Sequence, residues 1–462
     1  MVRHRHAQLA LAQLVLFGTM VEPEELMDPA LRKVDELLDD PVFSDEVLAV
    51  LRRRHPQSAR RGRPGTPAEV VLRMLVLKHL RRWSYDELEW EVTGNVVYRR
   101  FCRIDAEKVP DAKTMVRYGQ LLDGAVLRTL FDRVVGIAVA RQVTRGQRMR
   151  VDTTVVEAPM RYPTDSGLCQ DVVRVLGREM RRLSVAGVRL PFVLRDAGRS
   201  VARRLREIDQ ALRLRGDRAR EAIKKPYRRL IRVAGRFVRQ ARKAVAAAGR
   251  SRSAKAASAQ PLEKLRTYLP RAEQIVRQTR ARIVHGITDS TGKLLSIFEP
   301  YAQILRRGKL RKPTEFGTVV KVQEAEGGIV TDIQPVLTKC DATLLVSSVE
   351  RHAAVFKKPP RLVATDRGFW SGKGERRIKE LGVEHAAVPR PGYRSPARVA
   401  HERQRWFKRG RAWRQGGEAC ISRLKNRFGM ARSRYRGGDG MARTAFWAGI
   451  AGNLLTIATR TA

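Results

Sequence analysis

The sequence predicts an α/β protein in which a mixed sheet is flanked by helices, with an all-helical N-terminal region and a long basic helical insertion. Three observations support this class. Residues 1–145 place apolar side chains at helical spacing, and residues 148–157 alternate apolar and polar side chains as a half-buried strand does. Residues 361–388 follow a strand–helix–strand pattern, which is typical of parallel strands in one sheet.

The charge of the chain points to a polyanionic partner. Its 462 residues include 93 Lys and Arg against 47 Asp and Glu, a net charge of +46. Such self-repulsion is unusual for an enzyme of small molecules, and it favours a nucleic acid or an anionic membrane as partner. A hydrophobic fraction of 43% with six Trp excludes a disordered chain.

No membrane partner is expected, because no segment is typical of a membrane span. Residues 444–459 lack charge, but they include Asn453 and two glycines and are too short, so they predict a buried helix. The four cysteines are scattered without a C-x-x-C pair, which argues against a zinc module or a disulfide framework. A reducing, cytoplasmic compartment is therefore expected.

Residues 1–145 are expected to form an N-terminal DNA-binding domain of several short helices. A capping box at Thr66–Glu69, with Pro67 at the first helical position, predicts one helix, and Ser84–Glu87 predicts the next. Thr114 is the expected cap of a third helix, and residues 124–141 predict a fourth. A plain helical bundle without a recognition helix is the alternative.

A basic Gly-Arg-Pro stretch precedes these helices. Arg61 and Arg63 flank Gly62 within residues 60–65, and such a segment can lie extended in a narrow minor groove of A·T-rich DNA. The two arginines are therefore candidate DNA contacts. The alternative is a basic linker.

The basic insertion, residues 171–283, holds half of the excess charge: 32 Lys and Arg against 9 Asp and Glu, a net of +23. A heptad seam predicts that it forms an antiparallel helical hairpin with a flexible tip at residues 246–260. The seam consists of Leu262, Leu265, Leu269, Ala272, Val276 and Thr279. A solvated coiled coil is the alternative, but the one-signed charge argues against it.

Strand signals return in the C-terminal part of the chain. The expected elements are strands at 294–298, 317–322 and 329–336, a helix at 342–357, a strand at 361–366 that ends in Asp366, a helix from Ser371 to Leu381 stopped by Gly382, and a strand at 383–388. A further helix is expected to begin near residues 415–418 and to end at Phe428. Its periodicity places Arg414, Glu418 and Lys425 on one polar stripe.

Three carboxylates stand out by position: Asp152 within a strand, Asp366 at the end of another, and Glu418 on a helix. In a basic, DNA-binding protein, clustered acids can hold Mg²⁺, which prefers oxygen ligands. Two such ions support in-line displacement at a phosphodiester. For any one of these acids taken alone, a surface or capping role is the alternative.

Five segments together resemble the DDE transposases of bacterial insertion sequences, over nearly the whole chain. They are residues 150–157 (RVDTTVVE), 162–166 (YPTDS), 312–317 (KPTEFG), 364–371 (ATDRGFWS) and 414–418 (RQGGE) followed by Lys425. The resemblance implies an RNase H-like catalytic domain at 146–170 and 284–462. It also implies that Asp152, Asp366 and Glu418 form a metal-binding triad for two Mg²⁺ ions, with Mn²⁺ as a substitute.

The family pattern around the last acid is Tyr, two residues, Arg, three residues, Glu, six residues, Lys. Arg414, Glu418 and Lys425 match it, whereas Arg411 stands where the family has Tyr. The resemblance implies that Arg414 and Lys425 contact the DNA backbone; an intrahelical ion pair with Glu418 is the alternative. The role of the basic insertion cannot be copied from relatives, and we hypothesise that it grips transposon-end DNA or pairs two subunits.

The resemblance thus implies a DNA transposase of a mobile genetic element, active on double-stranded DNA as a homodimer or higher homo-oligomer near the bacterial nucleoid. It would cleave element ends in a metal-dependent step and join the 3′-OH to target DNA. Two alternatives stay open: an RNase H-like nuclease without strand transfer, and a non-catalytic or decayed DNA-binding protein.

Overall fold

A computed structural model describes residues 25–54, 65–214, 216–250, 255–289, 291–306, 314–336 and 340–461. Arg61 and Arg63 lie outside the described residues, and so do residues 312 and 313 of the transposase-like segment 312–317. The chain forms two compact units: a sheet unit, residues 1–158 with 305–462, and a helical unit, residues 159–304.

The sheet unit begins with seven helices: α1 Pro29–Leu37, α2 Pro41–Arg54, α3 Ala68–Arg81, α4 Tyr85–Gly94, α5 Val96–Phe101, α6 Ala112–Leu121 and α7 Gly124–Ala140. Ser84 and Glu87 form the expected capping box of α4. Two cap predictions are wrong. No side chain caps α3, which begins one residue after Pro67. Asp111 caps α6 by accepting from the Thr114 N–H, since a carboxylate at that position reaches the free amide directly.

The sheet consists of six strands: β1 Arg148–Glu157, β2 Gln303–Arg306, β3 Thr314–Ala325, β4 Ile329–Val336, β5 Leu362–Ala364 and β6 His385–Ala387. Their order is β2-β3-β1-β5-β6, and β4 also pairs with β3. The long strand β1 is antiparallel to β3 and parallel to β5, and β5 is parallel to β6. The prediction of a mixed α/β fold is therefore confirmed, and β1 is the central strand of the sheet.

Helices cover both faces of this sheet. On one face, α12 Leu344–Phe356 and α13 Gly372–Glu380 pack against Met149 and Val151 of β1. Ser371 caps α13 as expected, and Gly382 follows its end with a positive φ of 93°. The strand–helix–strand unit β5–α13–β6 thus has the parallel pairing that the sequence predicts.

The other face is covered by α15 Arg405–Arg427, which follows α14 Pro396–Arg403. The expected start near residues 415–418 is wrong. The helix begins about ten residues earlier, at Arg405, and Gly416 and Gly417 lie inside it. A Cβ on Gly416 would come within 2.5 Å of the Arg150 guanidinium, and one on Gly410 within 2.6 Å of Ala387 Cβ. These glycines let the helix lie close to the sheet.

The last helix, α16 Gly438–Arg460, is buried along most of its length, as residues 444–459 predict. Asn453 donates to and accepts from the backbone of Val330 in β4, which satisfies its amide within the core. None of the described helices combines the length and apolar character that crossing a membrane requires.

The helical unit contains α8 Asp165–Val185, α9 Gly198–Leu212, α10 Gly216–Arg250 and α11 Lys255–His285. The expected hairpin is present as α10 and α11, but α8 and α9 join it around one core. The predicted heptad seam of α11 faces that core, with Leu265, Ala272 and Thr279 fully buried. The tip is shorter than expected, because regular helix continues to Arg250 and resumes at Lys255.

The expected strand at 294–298 is wrong. Leu294 and Ile297 are buried in the core of the helical unit, so the apolar run packs against helices. Its backbone pairs with side chains of α11: the Gln278 amide both donates to and accepts from Leu294, and Arg271 donates to the Ile297 carbonyl. Side-chain partners thus take the place of a neighbouring strand.

Candidate catalytic site

Two of the three expected carboxylates belong to neighbouring parallel strands or their ends. Asp152 lies within β1, whereas Asp366 lies two residues beyond β5, because the expected strand at 361–366 already ends at Ala364 and Asp366 caps the short turn that follows. The register of β1 and β5 pairs Arg150 with Ala364, so Asp152 and Asp366 each follow two residues beyond that pair. Side chains two residues apart along a strand share a face. Leu362 and Ala364 face α15. Asp152 is thereby directed to the α15 face of the sheet, where Arg414 of α15 binds it. Asp366 follows the end of β5 and lies close enough for its charge to act on Asp152.

The environment of Asp152 makes its charged form costly. Burial raises the pKa of this carboxyl above its usual value, and the negative charge of Asp366 raises it further. The Arg414 guanidinium and the Thr153 N–H, which donates to Oδ1 at 2.8 Å, act in the opposite direction. The pair of acids is therefore a place where added positive charge is stabilised.

Arg414 supplies one such charge from α15. Its Nη2 donates to Asp152 Oδ2 at 2.9 Å, and its Nη1 lies 3.9 Å from Glu418 Oε1. Glu418 sits one turn further along α15 with 74% of its side chain exposed. The arginine thus links the strand acid with the helix acid, while Asp366 Oδ1 accepts from the Gly368 N–H at 2.9 Å.

Arg150 fixes α15 against the sheet beside this site. It forms a two-pronged ion pair with Glu324, directly opposite on β3, with N···O distances of 2.8 and 2.7 Å. A third bond runs from Arg150 to the Trp413 carbonyl at 2.6 Å, and the guanidinium lies over the Trp413 ring at 4.7 Å. The residue before Arg414 is therefore held by the strand that carries Asp152.

Sequence reasoning missed Arg150 and Glu324 as parts of this site. The available signal was the position of Arg150 two residues before Asp152, on the same strand face. Its partner could not be named, because the register of β3 against β1 follows only from the folded sheet. Asp341, which accepts from the Thr153 hydroxyl at 3.2 Å, was likewise not identified.

The donor chemistry of Asp152, Asp366 and Glu418 fits Mg²⁺, since carboxylate oxygens are its preferred protein ligands. The mutual repulsion of the two aspartates also fits a bound cation. The three are not gathered into a ready metal cluster: within the described ranges, no three His, Cys, Asp or Glu side chains are arranged to hold an ion. Glu418 lies 3.9 Å from Arg414, which in turn binds Asp152.

The other expected DNA contacts have different positions. Lys425 lies on α15, seven residues after Glu418, and is half-buried with interactions of its own. Arg411, at the family's Tyr position, is exposed near the middle of the same helix. The alternative of an ion pair between Arg414 and Glu418 within the helix holds only in part. The close partner of Arg414 is Asp152 on β1, and its contact with Glu418 is longer.

These features define the class: a mixed α/β protein with paired aspartates facing a basic helix. Comparison with known families adds a more specific relation. Residues 20–121, which span α1 to α6, match a family model described as a transposase domain (DUF772). This match covers the N-terminal helices and supports a relationship with transposases.

Matches to curated proteins are weak. Over 128 residues the chain is 26% identical to the aspartate carbamoyltransferase catalytic subunits of Xanthomonas campestris pv. campestris strains B100 and 8004. The alignment covers 26% of this chain and about two fifths (41%) of those proteins, too little to indicate a shared activity. No solved structure was found to match the chain.

Proposed function

We propose that this protein is a DNA transposase whose sheet unit carries out metal-dependent cleavage of DNA and transfer of the 3′ end to a target. The observation that carries the proposal is the position of Arg414 between Asp152, which it binds at 2.9 Å, and Glu418, 3.9 Å away, with the charge of Asp366 acting on Asp152. The transposase-domain match at residues 20–121 supports it independently, because it concerns a different part of the chain.

The sheet order gives further support. Three antiparallel strands, β4, β3 and β1, are followed by β5 and β6, which are parallel to β1. Apart from β2, which also lies beside β3, this order agrees with the RNase H-like domain that the resemblance implies, with the first acid on the central strand. The order of the acids along the chain agrees with the motifs that resemble the DDE transposases.

In this proposal Asp152, Asp366 and Glu418 hold Mg²⁺, which would activate the attacking oxygen and stabilise the leaving one. Asp152, on β1, and Asp366, just past the end of β5, would supply carboxylate ligands from the central strands of the sheet. Arg414 stabilises Asp152 before DNA arrives and then neutralises charge on the phosphate. Arg150 holds the Arg414 segment in place, and Lys425 adds a contact to the DNA backbone.

The test uses the full-length protein with a plasmid carrying this gene and its flanking DNA. Asp152→Asn, Asp366→Asn and Glu418→Gln should each lower Mg²⁺-dependent nicking by about 100-fold or more. DNA binding measured in EDTA should be unchanged. Glu380→Gln is the matched control, since this exposed carboxylate on α13 pairs only with Arg377 at the surface.

Each outcome decides between the candidates. Loss of nicking and of joined products in the three variants, but not in the control, supports the transposase. Nicking without joined products from the wild-type protein would instead establish a nuclease. Wild-type activity in all three variants would refute the assigned site and favour a non-catalytic DNA-binding protein.

A further inference from the structure

A stripe of basic side chains runs along the exposed face of α10 in the helical unit. It consists of Arg228, Arg229, Arg232, Arg236, Arg239 and Lys243, all exposed. At 100° per residue these positions lie within an arc of about 100°, and at 1.5 Å per residue they extend over about 22 Å. We call these six residues the α10 stripe.

The stripe is not neutralised by the protein itself. No acidic residue occurs between Ala222 and Arg250, the C-terminal 29 residues of α10. Within the described part of the chain, Arg229, Arg232, Arg239 and Lys243 form no salt bridge. By contrast, two basic residues earlier in α10 are paired, Arg220 with Asp217 and Lys224 with Glu221.

Like charges three and four residues apart destabilise a helix, so this arrangement has a cost in the free protein. The opposite face of α10 offsets it: Leu230, Ala234, Phe237 and Ala241 are buried in the core of the helical unit. The helix is therefore held in place by its apolar side while the charged side is left available to a partner.

We propose that the α10 stripe binds the phosphate backbone of duplex DNA. Duplex DNA carries one phosphate per about 1.7 Å of axis, so a stripe of about 22 Å faces enough phosphates to engage all six cations. An anionic membrane fits less well, because the apolar residues that would insert into lipid are already buried in the core. The proposal rests on the proposed function, for which it specifies the surface that holds the DNA.

The test compares two triple variants of the full-length protein that remove the same charge. Arg229→Gln, Arg232→Gln and Arg239→Gln together break the stripe. Arg203→Gln, Arg220→Gln and Lys224→Gln together are the matched control, because the exposed Arg203 and Arg220 and the half-buried Lys224 are paired with Glu207, Asp217 and Glu221. Gln is a good helix former, and circular dichroism verifies that both variants keep their helix content.

Binding is measured to a 30-base-pair duplex of arbitrary sequence over a series of salt concentrations. Loss of three phosphate contacts should weaken binding at least about 10-fold at low salt and reduce the slope of log K against log[salt] by about 2 to 3. The control variant should keep the wild-type slope. The same three positions changed to Lys should retain most of the affinity, since the charge is kept.

Equal slopes for the stripe and control variants would overturn the proposal. It would also be overturned if the stripe variant lost binding to phosphatidylserine vesicles but kept its affinity for the duplex. The duplex-binding assay is run in EDTA with the catalytic acids unchanged, so its result is separate from the nicking test of Asp152, Asp366 and Glu418. Normal nicking by the acid variants would refute the catalytic site while leaving the stripe in place.

Discussion

The sheet unit and the helical unit use basic residues in opposite ways. In the sheet unit, cations are paired with acids inside the fold: Lys321 meets Asp332 at 2.7 Å with both side chains buried, and Arg150 meets Glu324. In the helical unit, the α10 stripe displays its cations to solvent. The difference shows that net charge alone does not locate a binding surface, since only unpaired charge is available to a partner.

The largest expected effect of this contrast is on stability. Asp332→Ala should lower the free energy of unfolding by about 3 to 5 kcal/mol, because it leaves Lys321 buried without its partner. Arg128, which donates to the same carboxylate at 2.7 Å, would lose one acidic partner and keep Asp132. Urea unfolding measures the change. Asp217→Ala, in an exposed pair of α10, should leave the midpoint unchanged, and equal losses would contradict the contrast.

A buried lysine of the sheet unit should make stability depend on pH. Burial lowers the pKa of Lys78 from 10.5 to about 8, and the positive charge of Arg434 contributes. Between pH 8 and 10.5 the folded state therefore binds fewer protons than the unfolded state, so this residue makes stability rise with pH. Below pH 8 its buried charge is a cost.

Lys78→Met should accordingly raise the free energy of unfolding at pH 7 by about 1 to 3 kcal/mol. The advantage over the wild-type protein should shrink as the pH rises from 8 to 10.5. Chemical unfolding across this range measures both. Lys243→Met, on the exposed face of α10, should give a free energy of unfolding that depends on pH as in the wild-type protein. If the difference in free energy between Lys78→Met and the wild-type protein stayed constant from pH 8 to 10.5, burial of the Lys78 charge would be refuted as its cause.

The glycines of the two units should respond differently to added side chains. Gly410→Ala places a methyl group 2.6 Å from Ala387 Cβ, so α15 must move away from β6. A destabilisation of about 1 to 3 kcal/mol is expected, with reduced catalysis because α15 also carries Arg414 and Glu418. Thermal unfolding and the nicking assay measure the two effects. Unchanged stability would show that α15 tolerates a wider separation from the sheet.

The smallest effect is expected in the helical unit. A methyl group on Gly235 of α10 would meet only the end of the Arg239 side chain, at 3.6 Å. Gly235→Ala should therefore stabilise the protein by about 0.5 to 1 kcal/mol through the lower chain entropy of the unfolded state. A destabilisation in thermal unfolding would mean that α10 packs more tightly than its contacts indicate.

Local patterns predicted the elements whose determinants lie close together in sequence. The alternation of β1, the Ser84 capping box and the strand–helix–strand unit at β5–β6 all follow from neighbouring residues. The start of α15 did not, because glycine lowers helix propensity locally and only contact with Arg150 and Ala387 explains its use. The strand predicted at 294–298 is wrong for the same reason, because tertiary packing determines the hydrogen-bond partners of this backbone.

The candidate site was likewise predictable only where the signal lies in the local sequence. The three acids could be chosen by their order and setting, but their neighbours could not. For Arg414 the sequence indicates a contact with the DNA backbone or, as the alternative, an ion pair along its own helix, whereas its close partner in the structure is Asp152, 262 residues away. The Arg150–Glu324 pair spans 174 residues and depends on strand register. Such pairs become visible only when the sheet is assembled.

The pairing of β1 with β3 has a consequence for how the chain folds. The pair Glu157 and Gly317 joins positions on either side of the whole helical unit. Closing a flexible loop of about 160 residues costs about 4 to 5 kcal/mol of chain entropy. Helices form quickly from local contacts. Prior folding of the helical unit would shorten the loop that remains to be closed, so its assembly is expected to set the rate at which the sheet can form.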